Sequence, residues 1–319
     1  MSLVLALVVS IIPVAGTSLQ QRPSIGVHQP PSRNFPLRIY VYPVALDLDE
    51  DKPFSCENAD EINALFYDVL RTFPKLVARF VSEHPRYARI ASIYFENASN
   101  PKQADITFRI IEERNEPSVA YVNHWEGGAE IFVKCSLLAW AYNVTKDRSK
   151  AENLAWSVLA HEFGHALGLD HAKQMYTGDG HPELMYFGGF GEERVYYSTL
   201  DLYALHIVYF EGISGDSSNV ALPEDMEYVM VVPYEVELQR LKEENQRLRT
   251  EIEEQYETIA DLKHQIEEKD LEIIRLGEEA RALRSNVSVL LEVIRDYSEA
   301  NEECVNLYNL SLIHISEPT

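Results

Sequence analysis

The chain contains the segment His161-Glu162-Phe163-Gly164-His165-Ala166-Leu167-Gly168-Leu169-Asp170-His171, which predicts both its fold and its chemistry. His161 and His165 are four residues apart, so on a helix both imidazoles lie on one face and can bind the same Zn²⁺. Glu162 follows the first ligand, where its carboxylate can reach a water on the metal. Gly168 permits a left-handed turn out of the helix, which would bring His171 round as the third ligand. Three protein ligands leave a fourth position open for water, which is typical of a catalytic zinc site.

This run resembles the zinc motif of the metzincin metallopeptidases, and within that family the matrixin (matrix metalloproteinase) branch. The family places a methionine-containing turn beneath the metal, and Leu184-Met185-Tyr186 follows the third histidine here. The resemblance implies that Met185 is this Met-turn residue and not a ligand, whereas the alternative is an ordinary core methionine. Ala172 stands where matrixins usually carry Ser, and Cys56 lacks the flanking residues of a cysteine-switch peptide. The chain is therefore described as matrixin-like.

The resemblance implies an α+β fold over residues 36–215, with a twisted mixed β-sheet, an active-site helix and a C-terminal helix. It also implies Zn²⁺ as the cofactor, structural Ca²⁺ by family analogy alone, and proteins or peptides as substrates. Glu162 would take a proton from the zinc-bound water as it attacks, and then pass that proton to the leaving amine. One alternative is a different His-Glu-x-x-His hydrolase, such as an exopeptidase. The other is a structural or adhesion protein, a coiled coil with a catalytically silent head.

Length and charge exclude two classes of partner. The chain has 319 residues, enough for one sizeable domain and an extension, and its formal net charge is −23. Because such a chain is repelled by nucleic acid and by anionic membrane, neither is expected to bind it.

The N-terminal region predicts export. Residues 1–17 form a short apolar run that ends in small residues, which is typical of a secretory signal peptide. An uncleaved N-terminal anchor is the alternative, so the protein is expected to be secreted or membrane-anchored. Residues 18–35 are rich in Pro, Ser and Gln and are expected to form a flexible leader. Glycosylation sequons, which agree with export, begin at Asn97, Asn143 and Asn286.

The three cysteines allow at most one bridge within the chain. Cys56 could pair with Cys135, or both could be free buried thiols, and the sequence does not choose between these states. Cys304 would be left over in either case.

Hydrophobic periodicity predicts the elements around the motif. Strands are expected at residues 37–42, 90–95, 106–111, 119–122 and 131–133. Helices are expected at residues 59–82 (kinked or broken by Pro74), at 154–167, and from the N-cap Ser198 to about residue 210.

Two segments could contact a substrate. An extended peptide would pair with an edge strand, supplied by residues 119–122 or by residues 129–132. Residues 186–197 are either the wall of the specificity pocket that the resemblance implies or an ordinary surface loop.

The C-terminal third carries a seven-residue repeat. After a polar linker at residues 216–234, nine unbroken heptads over residues 235–300 predict a left-handed coiled coil. Heptad position a holds Leu238, Asn245, Ile252, Ile259, Ile266, Ile273, Ala280, Val287 and Ile294, and position d holds Leu241, Leu248, Gln255, Leu262, Lys269, Leu276, Leu283, Leu290 and Tyr297. Mostly β-branched residues at a and Leu at d favour a parallel homodimer, whose register Asn245 would set. The alternative is a lone helix folded on the catalytic domain, but about 60 helical residues span roughly 90 Å.

Residues 310–319 resemble a translated sequencing-library adapter and are expected to be an artefact. A membrane anchor or a further domain beyond them stays open.

Overall fold

A computed structural model describes residues 22–46, 53–112, 118–188, 190–213 and 217–315, with side chains described as far as residue 310. The predicted signal peptide at residues 1–17 lies outside the described residues. The chain forms two compact units, one that ends at Gln239 and one that begins at Arg240.

The chain has the α+β composition predicted from the sequence, followed by one long helix. Its strands are β1 (Ser24–His28), β2 (Leu37–Val41), β3 (Phe95–Asn97), β4 (Ile106–Ile111), β5 (Ala120–Trp125), β6 (Gly128–Lys134), β7 (Leu169–Ala172) and β8 (Ser217–Ala221). Its α-helices are α1 (Ala59–Glu83), α2 (Leu137–Thr145), α3 (Arg148–Ala166), α4 (Thr199–His206) and α5 (Tyr234–Ile315). Short 3₁₀ segments span Pro85–Ser92 and Pro101–Gln103, and a π-helical turn, Ile207–Glu211, follows α4.

A five-stranded sheet of order β3-β2-β4-β6-β5 forms the centre of the first unit. Its strands are parallel except β5, which pairs antiparallel with β6 at the edge. The central strand β4 is almost entirely buried, in keeping with the continuous apolar run expected of a parallel strand covered on both faces. Of the two candidate edge segments, residues 119–122 fall at the edge, whereas residues 129–132 lie between β4 and β5.

Helices α1 and α3 pack together beside this sheet. From α1, Phe66 stacks on Phe108 of β4 with ring centroids 4.0 Å apart, and its edge meets Phe163 of α3. The sequence predicts a kink or a break at Pro74, but α1 runs through this residue unbroken. Proline has no N–H, so the carbonyl four residues before Pro74 lacks its helical donor. Because Pro74 lies on the exposed face of α1, water can donate to that carbonyl instead.

A second sheet, of order β7-β1-β8, corrects two predictions. The sequence assigns residues 24–28 to a flexible leader and residues 217–221 to a linker. They form β1 and β8 instead, which pair antiparallel over five residues, and β1 also pairs antiparallel with β7. Ile25 and Val27 are buried in the common core, which explains why this segment is ordered.

Three further boundaries differ from the sequence prediction. Residues 90–95 are mostly 3₁₀ helix and loop, with the strand beginning only at Phe95. The motif helix α3 begins at Arg148 and not at Leu154, because the Asp147 side chain caps it by accepting a hydrogen bond from the Lys150 amide at 2.9 Å. Ser198 is confirmed as an N-cap, in a reciprocal capping box with Asp201.

The cysteine question is resolved by the fold. Cys56 and Cys135 form a disulfide across 79 residues of sequence, and Cys304 is free and exposed.

The second unit, from Arg240 onward, is formed by α5, whose first residues, 234–239, belong to the first unit; the helix is continuous from Tyr234 to Ile315. The predicted linker therefore ends at residue 233, and the helix extends past residue 300. Asn245 lies on this helix, exposed and apart in sequence from every other predicted site residue. Among the described residues, no helix combines the length and the apolar character needed to cross a membrane.

Candidate metal centre

Helix α3 carries the first two predicted ligands. His161 and His165 lie one turn apart near its C-terminal end, where nearly every residue is buried. Their ring centroids are 4.5 Å apart, with the planes almost perpendicular. The four-residue spacing therefore places both imidazoles on one helix face.

Backbone carbonyls orient both rings. His161 Nδ1 donates to the Leu184 carbonyl at 2.6 Å, and His165 Nδ1 donates to the Leu169 carbonyl at 2.8 Å. With the proton on Nδ1, each Nε2 keeps a free lone pair, as in histidines that bind metals. The two Nε2 atoms converge to 3.0 Å.

Gly168 and β7 place His171, the third predicted ligand. Gly168 has φ of +105°, a left-handed conformation that disfavours residues with a Cβ. Its amide donates to the His165 carbonyl at 2.9 Å, and its carbonyl accepts from the His28 amide at 2.9 Å. The chain then enters β7, which includes His171 and pairs with β1. The segment that the sequence assigns to a flexible leader is therefore the strand that holds the third histidine in place.

The three histidines form one candidate metal site. Their potential ligand nitrogens all lie within 4.8 Å of one another. The His171 ring centroid is 4.8 Å from that of His165 and 5.4 Å from that of His161. His171 Nδ1 lies 3.5 Å from the Asp170 carboxylate, which favours His171 Nε2 as the metal-facing nitrogen.

The chemistry of this donor set fits a divalent cation such as Zn²⁺. Tetrahedral Zn–N bonds of about 2.0–2.1 Å separate two ligand nitrogens by roughly 3.3 Å, and the Nε2 atoms of His161 and His165 are 3.0 Å apart. Two lone pairs so close together repel each other unless a cation or a shared proton lies between them. Three neutral imidazoles also match the ligand types that zinc prefers in catalytic sites.

Burial keeps the two helix histidines neutral. Desolvation lowers the pKa of His161 to about 4 and that of His165 to about 3. Neutral imidazole is the form that binds a metal, so the site needs no proton release at neutral pH before binding through these two rings.

Glu162 supplies a carboxyl group next to the first ligand. Its side chain is 8% exposed, and burial raises the pKa of this carboxyl to about 8. A divalent cation nearby favours the ionised form, which would bring this pKa down towards the range of a general base.

Met185 packs against α3 at Gly164, the residue before His165, and is fully buried. Its side chain packs against Gly164, so closely that a Cβ at position 164 would overlap the Met185 sulfur. The Met185 carbonyl accepts from the Ala172 amide at 2.9 Å, which joins this turn to the end of β7. Met185 thus packs against α3 and is linked to β7, and its assignment as a Met-turn residue stays a prediction.

A buried acidic pair, which the sequence did not predict, supports this turn. Glu183 and Asp201 are fully buried, and Glu183 accepts hydrogen bonds from the Met185 amide at 3.2 Å and the Tyr228 hydroxyl at 2.5 Å. Desolvation, and then the charge of Glu183 nearby, raises the pKa of Asp201 well above its usual range. Burial also raises the pKa of Glu183, against the lowering effect of its hydrogen bonds with Asp201 and Tyr228. Burial of two neighbouring carboxyl groups therefore favours the neutral form of at least one of them. The sequence could have identified Asp201, because an acidic residue three positions after the N-cap Ser198 is typical of a capping box. Nothing in the local sequence predicts that Glu183 is buried.

The described part of residues 186–197 contains exposed rings near the histidines as well as residues of the core, and its assignment as a specificity-pocket wall stays a prediction. Phe187 is 78% exposed, with its ring 5.3 Å from that of His171, and the Phe190 ring lies 5.5 Å from that of His161. At the other end of the segment, Val195 and Tyr197 are buried in the core. The first half thus places aromatic rings beside the metal site, and the second half is structural.

Comparisons with known proteins do not assign the chain to a family. No family model matches it, and no curated protein matches it. Among solved structures, one similar chain belongs to the "GM1 bound form of the ECX AB5 holotoxin", with 11% identity, a TM-score of 0.35, and coverage of 59% of this chain and 88% of that chain. At this TM-score the likeness carries no argument about fold or function.

Proposed function

We propose that the chain is a zinc-dependent endopeptidase of the matrixin-like metzincin type. The observation that carries this proposal is the convergence of His161, His165 and His171 around one point, with the buried Glu162 adjacent in sequence to the first ligand. Three ligands with an open fourth position are typical of hydrolytic zinc sites.

The residues divide the work of peptide hydrolysis between them. Zinc, when bound, would supply a water of lowered pKa and would polarise the carbonyl of the scissile bond. Glu162, ionised beside that charge, would accept the proton of the attacking water and return it to the leaving amine. Protonated Glu162 would also help to stabilise the negative oxygen of the tetrahedral intermediate.

The edge strand β5 is where we propose that an extended substrate binds. It pairs with β6 on one side and is the terminal strand of its sheet, and α3 packs against it. A peptide that added to this edge would gain backbone hydrogen bonds whatever its sequence. Phe187 and Phe190, beside the histidines, would contact side chains near the scissile bond and favour apolar ones.

We also propose that the protein acts outside the cytosol. The Cys56–Cys135 disulfide supports this location, since such bonds persist mainly in oxidising compartments. The structural Ca²⁺ that the resemblance implies stays a prediction. The candidate metal-binding group found among the described residues is the set of three histidines, and histidine nitrogens are not the oxygen ligands that Ca²⁺ prefers.

The decisive experiment measures metal content and proteolysis on the same preparation of the full chain. We expect close to one zinc per chain, cleavage of a casein-type substrate, and loss of cleavage with a chelator or a hydroxamate. Glu162→Ala is the matched control, because it should keep the metal and lose the activity. Zinc binding without any cleavage would instead favour the catalytically silent head of a coiled-coil protein.

A further inference from the structure

We infer that α5 is an interface for a second copy of this chain, packed parallel and in register so that the two Cys304 residues meet. This inference does not depend on the proposed peptidase activity. It starts from the side chains at heptad positions a and d, the two core positions of the repeat. The apolar ones are exposed along the described helix, from Leu238 at 54% to Tyr297 at 76%. A mainly apolar stripe of this length, exposed along one helix, marks a protein interface.

The charges beside this stripe select the orientation of the partner. Position g, which precedes each a residue, carries Glu237, Glu244, Glu251, Glu272 and Glu279. The charged residues at position e, which follows each d residue, are Lys242, Arg249, Lys263 and Arg284, which are basic, and Asp270. One edge of the stripe is thus acidic and the other mostly basic.

Parallel, in-register pairing uses this pattern fully. In such a dimer, each g residue faces the e residue five positions later in the partner. The resulting opposite-charge pairs are Glu237 with Lys242, Glu244 with Arg249, and Glu279 with Arg284. No g–e pair between residues 237 and 298 joins like charges, although Lys269 at position d would face its own counterpart. Antiparallel pairing would instead place g against g and e against e, so that acids would meet acids.

One polar core position, Asn245, favours the same partner. Asn245 at position a can hydrogen-bond its own counterpart only when the two helices are parallel and in register. Because this match requires an identical sequence, a second copy of this chain fits the surface better than an unrelated amphipathic helix.

The register also gives Cys304 a partner. It lies seven residues after Tyr297 and so continues the d row, on an unbroken helix. Residues at d face their own counterparts across a parallel two-stranded seam, so the two thiols would be adjacent. The other two cysteines are already bridged to each other, which leaves Cys304 as the odd thiol expected to form an intermolecular bond in an exported protein. Formation of this bond from two Cys304 thiols releases two electrons and two protons, which a disulfide oxidant such as oxidised glutathione would take up. One glutathione disulfide is then reduced to two glutathione thiols for each interchain bond formed.

Sedimentation equilibrium of the full chain tests the interface without using the thiol. At micromolar concentration we expect twice the monomer mass in reducing buffer. Ile266→Asp, which places a charge at position a, should shift the chain to monomer, whereas His264→Asp, on the outer face of the same turn, should leave the dimer intact. Far-UV circular dichroism and zinc content check that both variants keep a folded first unit. A monomeric wild-type chain, or a trimer, would overturn the inference.

Oxidation in a glutathione buffer tests orientation and register. We expect the wild-type chain to form a covalent dimer that runs at double mass on a non-reducing gel, and Cys304→Ser to form none. The matched control carries Cys304→Ser with Asn306→Cys, which moves the thiol to the outer face of the same turn and should cross-link at least tenfold less. A non-covalent dimer whose Cys304 thiols do not cross-link faster than this control would show that the helices are antiparallel or out of register.

Discussion

Gly164→Ala should destabilise the protein and weaken metal binding, although alanine is the better helix former. The added Cβ would lie 3.1 Å from Met185 Cε and 3.2 Å from Tyr197 Cε1, with the Met185 sulfur closer still. Both neighbours are buried, and the backbone of Met185 is held by hydrogen bonds to Glu183 and Ala172. The surroundings therefore have little room to move away from the methyl group.

The magnitude follows from two opposing effects. Replacing an interior helical glycine with alanine gains about 1 kcal/mol of helix propensity. Overpacking of a close-packed core costs about 1–3 kcal/mol, and overlap with a buried sulfur places this site near the upper end. The net loss is about 2 kcal/mol, which lowers the unfolding temperature of a domain of this size by roughly 4–8 °C.

Thermal unfolding of the metal-free protein measures this loss, and a zinc titration measures its effect on the site. Gly191→Ala is the matched control, since a Cβ there meets nothing within 4 Å, and it should change stability by less than about 0.5 kcal/mol. Met185→Ala should relieve part of the loss in the Gly164→Ala background, with a coupling of about 0.5–3 kcal/mol. If Gly164→Ala unfolds at the wild-type temperature and binds zinc as tightly, Met185 does not pack against Gly164 as closely as described.

Three further predictions concern the acidic groups and the long helix. Glu162→Ala should reduce turnover by about 10²–10⁴-fold, because proton transfer is lost, while the bound zinc measured by atomic absorption stays unchanged; loss of the metal would give Glu162 a different role. Glu183→Gln should reduce the pH dependence of stability. Burial raises the pKa values of Glu183 and Asp201, so the folded chain holds a proton that the unfolded chain releases. The free energy of unfolding of the wild-type chain therefore falls as pH rises above about 4. Urea unfolding at pH 5 and pH 8 should show a smaller difference for the variant, and an equal difference would mean that the pair is ionised when folded. Asn245→Ile should raise the thermal stability of the coiled coil and relax its preference for two strands, as sedimentation would detect; an unchanged oligomer of unchanged stability would place Asn245 outside the seam.

The sequence was most informative where the relevant interactions are local. The spacing of His161 and His165 determines a shared helix face, because the helical period places residues four apart side by side. Gly168 could be assigned from its neighbours alone, since a left-handed exit from a helix has few other solutions. The heptad repeat is local in the same sense, and α5 is continuous across the whole of the predicted repeat.

Only the tertiary structure decided how distant segments meet. β1 and β8 come from segments whose composition is typical of a leader and a linker. These segments form strands because they pair with residues more than a hundred positions away and because Ile25 and Val27 are buried. The Cys56–Cys135 bond, the edge position of β5, and the buried pair of Glu183 with Asp201 likewise depend on interactions between elements far apart in the chain. Short strands and single buried acids carry almost no local signal, because their stability comes from partners that composition and periodicity do not identify. The sequence therefore determined which residues could bind a metal, whereas the long-range strand pairing determined where His171 lies relative to the other two histidines.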